Sequence, residues 1–172
     1  MVELYSPVVG ETLNFDGFFS FSDVFRVIDK YYRTKGFDKK IVFDEQYDTD
    51  SGTYIHLKTE YYKKTDAYVR IYTRMWIYVN DYVMTEQVVD GKKVRIGKGK
   101  LSITFDAFVQ TEYFNTFGDD KPWKFLFRVL WETVMPTKNK INYWRDVVTH
   151  IVYETKSEIA SYLNINKFLY ER

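Results

Sequence analysis

The first residues with a recognisable chemistry alternate along positions 68–78. Arg70 and Arg74 alternate there with tyrosine and tryptophan, and the two-residue period of a strand places them on one face of a sheet. Such rings and guanidinium groups can stack unpaired bases and neutralise phosphate. Acidic residues on neighbouring strands, Glu60 and Asp106 among them, favour a solvent-facing surface of cross-strand pairs instead. We therefore expect no nucleic-acid partner, and keep single-stranded nucleic acid as an alternative that Arg70 and Arg74 would contact.

A second candidate lies near the C-terminus, where three polar residues follow one another at four-residue spacing. Asp146, His150 and Glu154 would share one helix face, on which a carboxylate and an imidazole can hold a proton or a divalent metal. A metal needs further ligands, and nothing in the sequence places the other histidine, His56, nearby. A solvated stripe with hydrogen bonds between turns is the favoured interpretation, so we expect no metal site and no cofactor.

Phosphate binding and nucleophilic catalysis have little support. The backbone amides of Gly97-Lys98-Gly99-Lys100 can cradle a phosphate, but the P-loop pattern is absent and a strand follows, which favours a bulge or turn. The chain has no cysteine, no Gly-x-Ser-x-Gly elbow and 2 histidines. We expect a protein that is not an enzyme, with a cyclase or hydratase as the alternative that has the least support.

A ring-rich segment at 123–135 is the fourth candidate. Its pattern predicts an amphipathic helix, whose apolar surface must pack against other residues. Packing in the core is the favoured interpretation, and a homodimer or partner surface is the main alternative. Whether the segment is a helix or a misread strand stays open. The interface residues would be Trp123, Phe127, Leu130 and Trp131.

Periodicity predicts the elements that position these residues. A strand at 11–16 precedes a helix at about 22–35, which begins at a capping-box-like Ser20 and Asp23 and ends at Gly36. A long helix over about 139–163 ends the chain. Together the elements predict an α+β fold with an antiparallel meander. The predicted strands cover 41–47, 54–64, 69–79, 82–89, 92–96 and 101–109, with turns at Asp50-Ser51-Gly52, Lys64-Thr65-Asp66, Asn80-Asp81 and Asp90-Gly91.

Composition bounds the class of protein. The 172 residues suit one domain, 1–172, and 45% hydrophobic residues suit a folded one. A net charge of +1 argues against a dedicated duplex-DNA binder. The lack of cysteine fits a reducing compartment, and no signal peptide or membrane span is visible, so we expect a cytoplasmic protein.

The order strand, helix, antiparallel strands and long helix, over about 11–163, resembles the helix-grip architecture of START-like lipid- and polyketide-binding domains. That resemblance implies a curved meander wrapped around the C-terminal helix, with a ligand cavity between them. The extra helix at 123–135 departs from the pattern. Segments 76–79, 90–94, 97–101 and 142–163 also resemble parts of small uncharacterised archaeal proteins, which implies an archaeal cytoplasm and supplies no activity.

One function hypothesis and two rivals follow. The first is a non-enzymatic domain that binds an apolar small molecule or lipid between the sheet and the C-terminal helix. The second is a protein-interaction or homo-oligomer scaffold that uses 123–135. The third is binding of single-stranded nucleic acid. The residues expected near the cavity of the first are Trp76, Phe105, Tyr143 and Trp144.

Overall fold

A computed structural model of the chain describes residues 3–66, 68–89, 92–111 and 137–170. The predicted segment 123–135, with Trp123, Phe127, Leu130 and Trp131, lies outside the described residues. Two helices and five strands lie within them. In chain order the elements are β1 (Glu3–Phe19), α1 (Phe21–Thr34), β2 (Asp38–Thr49), β3 (Gly52–Lys64), β4 (Val69–Val89), β5 (Lys92–Thr111) and α2 (Thr137–Tyr170).

The five strands form one antiparallel sheet in the order β1-β5-β4-β3-β2. Strands β2 to β5 make a meander, and β1 returns beside β5, so that Leu13 lies opposite Ile103. The sheet packs against α2, as the sequence predicted for the α+β fold. Strands β1 and β2 are left as the two edges of the sheet.

Helix α1 begins and ends at the predicted signals. Ser20 is the N-cap, and its hydroxyl accepts a hydrogen bond of 3.3 Å from the backbone N–H of Asp23. Gly36 follows the last turn with a φ of 76°, a conformation that favours glycine. The helix buries Tyr32, whose ring stacks on Tyr61 of β3 at 4.3 Å and so ties the helix to the sheet.

The core lies between one sheet face and the helices. On β4 the buried side chains are Val69, Ile71, Thr73, Met75, Ile77 and Val79, which is one of the two alternating faces that the sequence predicted. On α2 the buried stripe includes Val148, Ile151 and Ile159. Full burial of each such aliphatic side chain contributes about 1.5–3 kcal/mol. In the described residues, no helix has the length and hydropathy that a membrane span requires.

The predicted turn at Asn80-Asp81 is wrong, because β4 continues through it. The register between β4 and β5 shifts between Asn80 and Val83, and Asp81 has a φ of 54°, which together define a β-bulge. Asn and Asp tolerate positive φ in a bulge as well as in a turn, which explains the misassignment. Strand β5 is likewise continuous from Lys92 to Thr111, where two strands were predicted.

The glycine-rich segment is part of this bulge. Gly97 and Gly99 lie within β5, and a Cβ on Gly97 would overlap the ring of Tyr82. The Tyr82 hydroxyl donates to the backbone carbonyl of Phe19 at 3.3 Å and lies 3.4 Å from the backbone N–H of Phe21. The glycines therefore make room for a ring that joins the bulge to the start of α1.

Past the bulge, β4 and β5 continue as a two-stranded arm. The last β3 residue paired with β4 is Thr53, opposite Tyr82, and the last β1 residue paired with β5 is Phe19. Residues 85–89 and 92–96 pair only with each other in the described part of the chain.

Candidate functional site

The sheet face turned away from the helices, called the outer face here, carries the residues that alternate with the core. On β4 these are Arg70, Tyr72, Arg74, Trp76 and Tyr78, all partly exposed. The sequence predicted that these side chains share a face, and the burial of the alternate positions shows that this face is the solvent-facing one. The outer face is therefore a surface of rings and guanidinium groups.

Rings on neighbouring strands stack on one another across the outer face. Because His56 pairs with Tyr78 in the β3–β4 register, their rings stack at 4.4 Å, and His56 also lies 6.0 Å from Trp76. Tyr72 stacks on Phe108 of β5 at 4.7 Å. In each of these stacked pairs, one face of each ring is covered by the ring on the neighbouring strand.

Cations lie over several of these rings. The Lys58 ammonium is 3.9 Å from the centroid of Trp76, and the Arg74 guanidinium carbon is 5.3 Å from that of Phe108. Such cation–π contacts contribute about 0.5–1 kcal/mol at exposed sites. Positive charge and ring surface are therefore interleaved on the outer face.

A groove of about 480 Å³ opens on the outer face across β2, β3 and β4. We call it the basic groove, because four of its lining side chains are Lys or Arg and one is a carboxylate. That carboxylate, Glu60, accepts a hydrogen bond of 2.8 Å from Arg74 Nε. The groove is therefore lined by more cationic than anionic side chains. Its lining residues are Lys40, Glu60, Tyr62, Lys64, Arg70, Tyr72 and Arg74.

Tyr72 is the ring that joins the basic groove to the stacked rings. Burial raises the pKa of its phenol above the ordinary value, and Glu60 raises it further, while Arg74 and Arg70 lower it. The hydroxyl therefore stays protonated at neutral pH. A neutral phenol can donate a hydrogen bond to a bound anion, while its ring stacks on Phe108.

The four residues predicted to line an apolar cavity are not brought together. Trp76 lies on the outer face, whereas Phe105 is fully buried on the inner face opposite Met75, so the sheet separates them. Tyr143 is 59% exposed on α2, and the adjacent Trp144 packs partly against the core. Trp76 and Phe105 cannot line one pocket, and the apolar-ligand hypothesis stays a prediction.

The polar residues of the C-terminal helix form a contact between helices. Glu154 accepts hydrogen bonds from the Tyr31 hydroxyl and from Lys35 at 3.2 Å, and it lies 3.1 Å from His150 Nε2. The hydrogen bond from Tyr31 is the main cause that lowers the pKa of Glu154. Asp146 is exposed, one turn before His150. In residues that the structure describes, no group of three or more His, Asp or Glu side chains is placed to hold a metal ion.

Sequence reasoning missed the members of the site that lie on other strands. Lys40, Lys64 and Phe108 reach the β4 residues only through the strand register. The sequence could have indicated the face on which Phe108 lies, because Phe108 alternates with Ala107 and Val109, which are buried. Nothing in the sequence indicated the register shift between Ile41 and Phe43 in β2.

Comparison with known proteins gives no match: no family model, no curated protein and no solved structure is significantly similar to the chain. The chemistry of the site is therefore argued from its geometry.

Proposed function

We propose that the outer face binds single-stranded nucleic acid, with phosphates in the basic groove and bases on the neighbouring rings. The observation that carries the proposal is the groove itself, whose four cations and one carboxylate lie directly beside stacked rings. Phosphate neutralisation and ring stacking are the two contributions that sequence-tolerant single-strand binding requires.

Two of the acidic neighbours that argued against this function have hydrogen-bond partners within the chain. Glu60 is paired with Arg74 at 2.8 Å, and Asp106 accepts a hydrogen bond of 2.8 Å from the backbone N–H of Gly10. Each carboxylate therefore already has a hydrogen-bond donor within the chain. The groove is lined by four cations and one carboxylate, although the net charge of the chain is only +1.

The dimensions of the face suit a short strand of nucleic acid. From Tyr72 beside the groove to Tyr78 is six residues along β4, or about 20 Å at the rise of an extended strand. That length fits a site at the small end of the known range, about four nucleotides. Unpaired bases are required, because paired bases cannot lie flat on side chains of a sheet.

The test is fluorescence anisotropy with labelled single-stranded DNA and RNA of about 12 nucleotides, titrated at several salt concentrations. Because the groove would contact phosphates, log K should fall linearly as log salt rises, with a slope of about −0.7 for each phosphate contact. Arg70→Ala should weaken binding to every sequence and make the slope shallower by roughly 0.7.

The matched control removes the same kind of charge from the other side of the sheet. Lys30 is exposed on α1, and Lys30→Ala should leave both the affinity and the slope unchanged. Absence of binding to either polymer at low salt would refute the proposal. An equal loss in the Lys30 and Arg70 variants would show that the binding is not located at the groove.

A further inference from the structure

Strand β2 is an edge of the sheet whose surface is left open. In the described residues β3 is its only neighbour in the sheet, and eleven of its 12 residues are exposed while Lys39 is half-buried. Ile41, Val42 and Phe43 form an apolar centre in which each residue is between 43 and 49% exposed. A long edge with an exposed apolar centre is a template for pairing with another strand.

The charges of β2 are arranged as antiparallel self-pairing requires. Lys40 precedes the apolar centre and Glu45 follows it, so an antiparallel copy brings each beside the other. Both lie on the outer face, because Lys40 is opposite Glu60 of β3 and Glu45 is opposite His56. Side chains must share a face to pair across strands, and these two do.

We propose that two copies of this chain associate through β2, antiparallel, about a two-fold axis normal to the sheet. Such an axis keeps outer face beside outer face. Lys40 then lies opposite Glu45 of the second copy, and the symmetry makes this pair twice. Between the two pairs, Ile41 lies opposite Asp44 of the second copy and Val42 opposite Phe43 of the second copy.

The bulge of β2 is compatible with this register. Ile41 and Asp44 both lie on the inner face, since they are opposite the buried Thr59 and Leu57. Val42 is the extra residue of the bulge, without a partner in β3. Because each copy contributes one extra residue at the same place, the two residues of every other opposite pair lie on the same face of the sheet.

Shifting the register by one or two residues toward the start of β2 gives less favourable pairs. A shift by one residue places Lys40 opposite Asp44 of the second copy, and these side chains point to opposite faces. A shift by two places Asp38 opposite Glu45 of the second copy, two like charges on the outer face. The register shifted by two would also require Lys39 to pair with the second copy, but Lys39 is already paired with Asp29 at 2.9 Å.

The test is sedimentation equilibrium of the purified chain without nucleic acid, so that it is independent of the proposed function. Wild type should be a dimer. Lys40→Glu or Glu45→Lys alone should raise the dissociation constant about tenfold or more, because each reversal places two like-charge pairs across the axis. The double variant Lys40→Glu/Glu45→Lys restores both pairs and should restore the dimer. Lys30→Glu is the matched control and should leave the dimer intact.

Circular dichroism checks that each variant is folded, and sedimentation without nucleic acid measures the dimer separately from oligonucleotide binding. A wild-type chain that stays monomeric overturns the inference. So does a dimer whose affinity neither single reversal lowers, or one that the double variant fails to restore. Any of these three results leaves oligonucleotide binding to be judged by its own experiment.

Discussion

Gly97→Ala tests the packing that holds the β-bulge in place. The backbone of Gly97 needs no positive φ, so alanine meets no strain there, and its whole cost is the overlap of its methyl with the Tyr82 ring. The ring cannot turn away freely, because it packs on Phe19 at 5.4 Å and its hydroxyl donates to the Phe19 carbonyl.

The expected loss in the free energy of unfolding follows from the contacts that the Tyr82 ring loses. Overpacking a filled site costs about 1–3 kcal/mol, and a displaced Tyr82 also loses its hydrogen bond to Phe19, worth about 1 kcal/mol. We therefore expect Gly97→Ala to lower the free energy of unfolding by about 3 kcal/mol. Urea unfolding followed by circular dichroism measures it, with an unchanged m-value as the sign of an unchanged fold.

A double-mutant cycle identifies the cause. With the ring removed by Tyr82→Ala, Gly97→Ala should cost under about 1 kcal/mol, a coupling of about 2 kcal/mol. Gly10→Ala is the control, because Gly10 has a φ of 69° and no atom within 4 Å of an added Cβ. Its cost of about 1 kcal/mol is backbone strain, and Tyr82→Ala should not change it. A Gly97→Ala variant as stable as wild type, or one equally destabilised in both backgrounds, would refute the packing argument.

Three further changes test other contacts. Glu60→Gln removes the carboxylate of the basic groove, so oligonucleotide binding should tighten; weaker binding would contradict the charge argument. Tyr72→Leu should weaken that binding by about 1 kcal/mol or more while Tyr72→Phe keeps the stacking, and equal losses would exclude a stacking role. The pKa of Glu154 is lowered below its ordinary 4.5, so its contribution to stability is present above that pH and lost as the pH falls below it. Glu154→Gln should therefore destabilise the fold at neutral pH and flatten the loss in acid, as urea titrations across pH would show; an unchanged acid profile would contradict this.

Local signals predicted the elements well wherever they were unambiguous. Ser20 and Gly36 marked the two ends of α1, and the strict alternation of β4 showed which residues share a face. Asn80-Asp81 was ambiguous, because the same backbone conformation serves a turn and a bulge. The choice depended on the space that Gly97 leaves for Tyr82, a contact across two strands that local patterns do not contain.

The candidate site was predictable on one strand and hidden on the others. Arg70 and Arg74 were found because alternation is a property of a single strand. Lys40 joins them only through a register that includes a bulge, and bulges have no reliable sequence signature. To predict that Trp76 and Phe105 lie on opposite faces, one must know which side chains of β4 and β5 share a face. Strand pairing determines this and composition does not.

Because β4 extends into the two-stranded arm, local opening should require less free energy at one end of the strand than at the other. Residues 69–79 lie between two neighbouring strands and above a buried core, whereas within the ranges that the structure describes 85–89 pair only with β5. A ribbon of two strands is marginally stable on its own in water. Amide protons of the arm will therefore exchange through local opening long before those of the same strand a few residues earlier. Fluorophores or crosslinkers attached at the exposed Lys93 or Arg95 would report on this fraying while leaving the rest of the sheet undisturbed.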